Sequence, residues 1–179
     1  MNEDIRILLV EDLPADVEMN KKEISKVVPN CIFKQVETRH DFIHALDSFK
    51  PHVIVSDYSM PQFDGMSALK LSLEKSDITP FILCTGSINE DTAVECMKKG
   101  ATDYVIKEHN KRLGSSVASA LDLRKTLIQK KLTLEKEKIR RQDQQTLFDA
   151  THKLLFTTSS KDIDETLFDA AVQLFPQVV

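Results

Sequence analysis

Asp57 stands at the end of a short apolar run, His52-Val53-Ile54-Val55-Ser56, and leads into Tyr58-Ser59-Met60-Pro61. Three further apolar runs also end in side chains that can do chemistry. Residues 5–10 end in the acid pair Glu11-Asp12, residues 81–84 in Thr85-Gly86, and residues 104–106 in Lys107. A carboxylate at the carboxyl end of a parallel strand faces the rim of the sheet, where α/β proteins gather their chemistry. Adjacent strands lie about 5 Å apart, so Glu11, Asp12 and Asp57 are expected within a few ångströms of one another. Like charges at about 5 Å repel by roughly 3 kcal/mol at an effective dielectric near 20. Such a group takes up protons or binds a cation, and an all-oxygen set with open water positions suits Mg²⁺. The cation would neutralise an incoming phosphoryl group. Lys107 would add a fixed positive charge, Thr85 a hydroxyl donor, and Gly86 the room for that group. Asp57 is then the natural nucleophile, forming an acyl phosphate, with charge stabilisation as the main task of its neighbours.

These four ends require a β-α alternation to carry them. Residues 5–10 are almost all apolar, as in a strand covered on both faces. Val17, Ile24, Val27 and Val28 mark a helix over residues 14–28, stopped by Pro29-Asn30. Residues 32–36 read as a second strand. Thr38-Arg39-His40-Asp41 is a capping box, and Phe42, Ile43, Leu46 and Phe49 continue it as a helix. Residues 52–56 form the third strand, and Met66, Leu69, Leu71 and Leu73 fit a third helix. Residues 80–84 are the fourth strand. Residues 89–99 form a helix with Gly100 as its stop, and residues 103–106 are the fifth strand. The pattern predicts an α/β fold: a doubly wound, five-stranded parallel sheet with helices on both faces and a long C-terminal helical extension.

The 179 residues suffice for one ordinary domain plus an extension. A net charge of −4 gives no bulk case for nucleic acid. Cys31, Cys84 and Cys96 lack metal-ligand spacing and read as reduced thiols of a cytoplasmic protein. The acidic start, Met1-Asn2-Glu3-Asp4, with only a short apolar run behind it, argues against a signal peptide. No stretch approaches the length of a membrane span.

The motifs together resemble the receiver domains of two-component response regulators. The matching residues are Glu11-Asp12, residues 57–65 (Asp57-Tyr58-Ser59-Met60-Pro61-Gln62-Phe63-Asp64-Gly65), Thr85-Gly86, Gly100-Ala101-Thr102-Asp103-Tyr104 and Lys107. The resemblance covers residue 4 to about 122. It implies the flavodoxin-like receiver fold, with Asp57 accepting a phosphoryl group from a histidine kinase or phosphotransfer protein. It implies that Glu11, Asp12, Asp57 and the backbone carbonyl of Ser59 hold Mg²⁺. It casts Thr85 and Tyr104 as a switch pair, and Ser59 and Ser87 as residues that tune dephosphorylation. Such a domain catalyses only its own phosphorylation and dephosphorylation. One departure stands out: the family usually has proline after the lysine, and here Lys107 is followed by Glu108.

Beyond the resemblance the chain changes character. Residues 111–156 hold no proline and a single glycine, Gly114. One heptad frame places Leu121, Ile128, Leu132 and Ile139 on a seam, but also Lys125, Glu135 and Gln142, so the coiled coil is weak. Residues 122–145 carry eight Lys/Arg against four Asp/Glu, read as a solvated helix face. Thr157-Thr158-Ser159-Ser160 breaks the helix and residues 162–165 restart it. Thr-Leu-Phe-Asp-Ala occurs at 146–150 and again at 166–170, through coincidence of helical composition or duplication. The expected organisation is a receiver at 1–122, a helical linker at 123–145, and a helical hairpin at 146–179 resembling the opening helices of a GAF sensor domain.

Two functions compete. One is a phosphoacceptor receiver heading a larger protein, a sensor histidine kinase or a cyclic-dinucleotide enzyme, and forming a homodimer through the C-terminal helix. The other is a dimerisation scaffold that keeps the fold while phosphorylation is dispensable. Retention of Glu11, Asp12, Asp57, Thr85 and Lys107 favours the first.

Overall fold

A computed structural model describes residues 4–86, 90–156, 168–170 and 172–173. Five strands, β1 (Ile5–Val10), β2 (Cys31–Val36), β3 (Val53–Ser56), β4 (Phe81–Thr85) and β5 (Asp103–Ile106), alternate with helices α1 (Pro14–Ser25), α2 (Arg39–Ser48), α3 (Gly65–Lys75) and α4 (Glu90–Lys98). A 3₁₀ turn, Lys107–Arg112, leads into α5 (Leu113–Phe156). All strand pairs are parallel, in the order β2-β1-β3-β4-β5. This is the doubly wound sheet expected of the alternation.

Successive strand side chains point to opposite faces, and both faces are covered. Ile7, Leu9, Val55, Ile82 and Cys84 pack with Val17 and Ile24 of α1 and with Leu113 and Val117 of α5. Leu8, Val10, Ile54 and Leu83 pack with Phe42 of α2, Leu69 of α3 and Cys96 of α4. The unbroken apolar run of β1 follows directly, since no face is left for water. Each fully buried side chain of this size contributes about 1.5–3 kcal/mol.

Local signals set the helix ends. Thr38 Oγ1 accepts the Asp41 amide at 3.1 Å, and Asp64 Oδ1 accepts that of Ser67 at 2.9 Å. Both caps fix where a helix leaves the sheet's rim. Gly100 closes α4 at φ +105°, a backbone angle that favours glycine. The first helix ends earlier than residue 28. The Val27 and Val28 amides both turn back to Ile24 O, at 3.0 and 2.9 Å. Val28 stays in the core while Val27 is exposed, so apolar spacing outlasts the helix by a turn.

The chain divides into residues 1–128 and 129–179, and α5 contributes to both. In the second part, Leu132, Leu134, Ile139, Leu147 and Phe148 are exposed. The predicted break at 157–160 and restart at 162–165 lie outside the described residues. No helix among the described residues is long and apolar enough to cross a membrane.

Candidate functional site

The register of the sheet assembles the site. Val10 of β1 pairs with Ser56 of β3, so Glu11 and Asp57 each lie one step beyond a matched pair. The Asp57 amide donates to Val10 O at 2.8 Å and the Glu11 amide to Val36 O at 3.2 Å. Glu11, Asp12 and Asp57 each bring a carboxylate oxygen within 4.8 Å of the other two. Glu11 is 1% exposed and Asp57 8%, whereas Asp12 is half-buried.

Lys107 follows β5, two strands from β3 and three from β1, yet its ammonium reaches both. Nζ donates to Asp57 Oδ2 at 2.8 Å, Glu11 Oε2 at 2.9 Å and Asp16 Oδ2 at 2.5 Å. An ammonium has three protons, and all three are engaged by carboxylates. The intervening β4 ends in buried Thr85 and then Gly86. A side chain added at Gly86 would meet nothing within 4 Å, so the space beside Thr85 is open. The remaining oxygens are also held: Glu11 Oε1 accepts the Leu13 amide and Asp57 Oδ1 the Ser59 amide, both at 3.2 Å.

Burial and the ion pairs of Lys107 together set the acid–base behaviour. Burial pushes the Glu11 carboxyl above its usual range, although Lys107 and the Leu13 amide pull the other way. For Lys107, burial opposes the charge, but the hydrogen bonds it donates to Asp16, Asp57 and Glu11 outweigh it and raise its pKa. Burial pushes the Cys84 thiol, next to Thr85, up to about 12.

Gly65 closes the loop beneath Asp57. Its amide donates to Tyr58 O at 3.0 Å, and an added Cβ would lie 2.5 Å from the Asp57 carbonyl oxygen and 2.8 Å from Leu83. Only glycine allows α3 to start this close.

Sequence reasoning thus located Glu11, Asp12, Asp57, Thr85 and Lys107, and the structure brings them to one rim. Tyr104 is half-buried on β5 opposite Leu83, two positions before the Thr85–Ile106 pair. Ser59 lies on the exposed loop after Asp57. Ser87 lies outside the described residues. Asp16 was missed. Its signal was its place in the first turn of a helix that starts directly after the acid pair.

Residues 7–118 match the response regulator receiver domain, and the chain belongs to that family. It is 26% identical over 106 residues to the chemotaxis protein CheY of Listeria monocytogenes, covering 58% of this chain and 86% of that protein. It is 39% identical over 71 residues to the DNA-binding transcriptional regulator NtrC of Proteus hauseri, 40% of this chain but only 15% of that protein. Among solved structures, the signal receiver domain of a LuxO repressor protein from Vibrio parahaemolyticus superposes with a TM-score of 0.63 at 30% identity, covering 69% of this chain and 95% of that one.

Proposed function

We propose that this receiver is phosphorylated on Asp57 by a histidine kinase or phosphotransfer protein. The supporting observation is the shared ammonium of Lys107, bonded at once to Asp57 and Glu11. An Asp57 carboxylate oxygen forms the new O–P bond as the donor's P–N bond breaks, and the electron pair leaves with the imidazole. Lys107 supplies a nearby positive charge for the transferring oxygens, and Thr85 a hydroxyl donor. The hard oxygens of Glu11, Asp12 and Asp57, within 4.8 Å of one another, fit Mg²⁺, with the Ser59 carbonyl as a further ligand. Bound there, Mg²⁺ would neutralise charge on the phosphoryl group. Thr85 and Tyr104 would then read the modification as a switch pair, and Ser59 and Ser87 would set how long it lasts.

The same reading makes the domain one part of a longer cytoplasmic signalling protein. Residues 123–145 serve as a linker to the segment at 146–179. The exposed Leu132, Ile139 and Leu147 on α5 support pairing with a second copy of the chain. Sedimentation of the 179-residue chain tests this: a concentration-dependent dimer supports pairing, and a monomer at all concentrations contradicts it.

The phosphoryl proposal is tested with a ³²P-phosphorylated histidine kinase. Label should move to the wild-type chain, in an acid-stable and base-labile bond, and not to Asp57→Asn. Equal transfer to Asp57→Asn contradicts it.

A further inference from the structure

We propose that Asp16, with the buried pair Asn20 and Asn110, positions Lys107, so that α1 sets where the ammonium stands above the sheet's rim. The inference rests on reading Lys107 as the charge that stabilises the transferring phosphoryl group.

Two short ladders face each other. Asp16 and Asn20 lie four residues apart on α1, one above the other on one helix face. Lys107 and Asn110 lie three apart on the turn that follows β5, across a kink at His109 (φ −107°, ψ 31°). Two hydrogen bonds join the pairs as rungs. The outer rung is Lys107 Nζ to Asp16 Oδ2 at 2.5 Å. The inner rung is Asn110 Nδ2 donating to Asn20 Oδ1 at 3.1 Å.

The inner rung is rigid for a physical reason. Asn20 is 2% and Asn110 6% exposed, and a buried amide without its partner is costly. Cys84 Sγ also points to Asn20 Oδ1, at 3.8 Å, which ties the rung to the strand that ends in Thr85. The far end of the turn is fastened separately. Arg112 Nη2 donates to both Asp103 carboxylate oxygens, at 2.6 and 2.8 Å, and Ser116 Oγ to Asp103 Oδ2 at 2.6 Å.

The chain requires such a device. Lys107 is followed by Glu108, so no proline ring fixes φ in the turn. A lysine side chain is long and freely rotating. The ladder constrains both the backbone that launches it and the head it carries. Asp16 does not belong to the carboxylate group of Glu11, Asp12 and Asp57. It is a third carboxylate on the same ammonium, at 2.5 Å from Nζ.

The test uses the full chain in three forms: wild type, Asp16→Asn, and the double variant Asn20→Leu/Asn110→Leu. The double variant replaces both amides by apolar groups of similar size, which keeps the core intact. Three quantities are measured: the acetyl phosphate labelling rate with Mg²⁺, the Mg²⁺ affinity by calorimetry, and amide hydrogen exchange over residues 107–112. Both variants should label about 10- to 100-fold more slowly, the scale of small misplacements in a reacting group. Exchange over 107–112 should speed up, Mg²⁺ binding should not weaken, and Asp16→Glu should recover part of the rate. Wild-type labelling and exchange in both variants overturns the proposal. So does a rate loss matched by an equal loss of Mg²⁺ affinity, which would assign Asp16 to cation binding. If wild type itself takes no phosphoryl group while exchange still speeds up in the variants, the ladder stands and the Asp57 reading fails.

Discussion

Replacing Lys107 by glutamine removes one ammonium from among three carboxylates, and the structure sets the size of the effect. The Lys107 side chain is 14% exposed, that of Glu11 2% and that of Asp57 9%. Removing one partner of a buried ionic group costs about 3–5 kcal/mol. A second route agrees. Carboxylate oxygens within 4.8 Å of one another repel by at least roughly 3.5 kcal/mol at an effective dielectric near 20. Glu11, already pushed toward its protonated form by burial, can relieve part of this by taking a proton. The expected loss for Lys107→Gln is therefore about 3 kcal/mol in Mg²⁺-free buffer, the low end of the range. Mg²⁺ should reverse it. The ammonium occupies Glu11 Oε2 and Asp57 Oδ2, so it competes with any cation for the same oxygens, and the variant should bind Mg²⁺ more tightly than wild type. At 100 times its Kd, Mg²⁺ restores about 2.7 kcal/mol. The assay is urea unfolding followed by circular dichroism, since the chain has no tryptophan, over a series of Mg²⁺ concentrations. A variant as stable as wild type without Mg²⁺, or one no more responsive to Mg²⁺, would rule out Lys107 as the counter-charge of these carboxylates.

Gly65→Ala places a methyl group 2.5 Å from the Asp57 carbonyl oxygen; it should cost about 1–3 kcal/mol, read as a lower urea midpoint. Glu11 gives a pH dependence. Its folded pKa lies above the model-peptide value of 4.5, so its contribution to stability is fully present below pH 4.5 and is lost as pH rises through the folded value. Mg²⁺ needs the carboxylate, so its affinity should rise over that same window. In calorimetric titrations the midpoint of this rise should fall above pH 4.5, and a midpoint at or below 4.5 contradicts the burial argument. Cys84, with its thiol pushed up to about 12, should resist thiol reagents at pH 8 until the chain unfolds. Mass mapping that finds Cys84 labelled as fast as half-buried Cys31 would count against it.

The sheet and most of its rim were legible because the relevant signals are local. Ile7 and Leu9 face one side and Leu8 and Val10 the other, so a doubly covered strand writes itself as an unbroken apolar run. The residue that ends such a run is delivered to the rim, which is why Glu11, Asp57, Thr85 and Lys107 could be picked out as a set, although each alone is a weak signal. What was not legible depends on strand order. An aspartate in a first helical turn, like Asp16, reads as a partner for the helix dipole. Only the placement of α1 above Lys107 turns it into an ion-pair partner. Asn20 in the middle of a helix reads as a solvent-facing polar residue until Asn110, ninety positions later, is found against it. The early end of α1 was hidden for a related reason: Val28 keeps its apolar role from a turn as well as it would from a helix.

Intact mass after incubation with acetyl phosphate, with and without Mg²⁺, tests the central claim for wild type and Asp57→Asn. One phosphoryl group should be added to wild type only when Mg²⁺ is present, and none to the variant. A folded, Mg²⁺-binding wild type that gains no phosphoryl group, or an Asp57→Asn chain that gains one at the same rate, would contradict that claim.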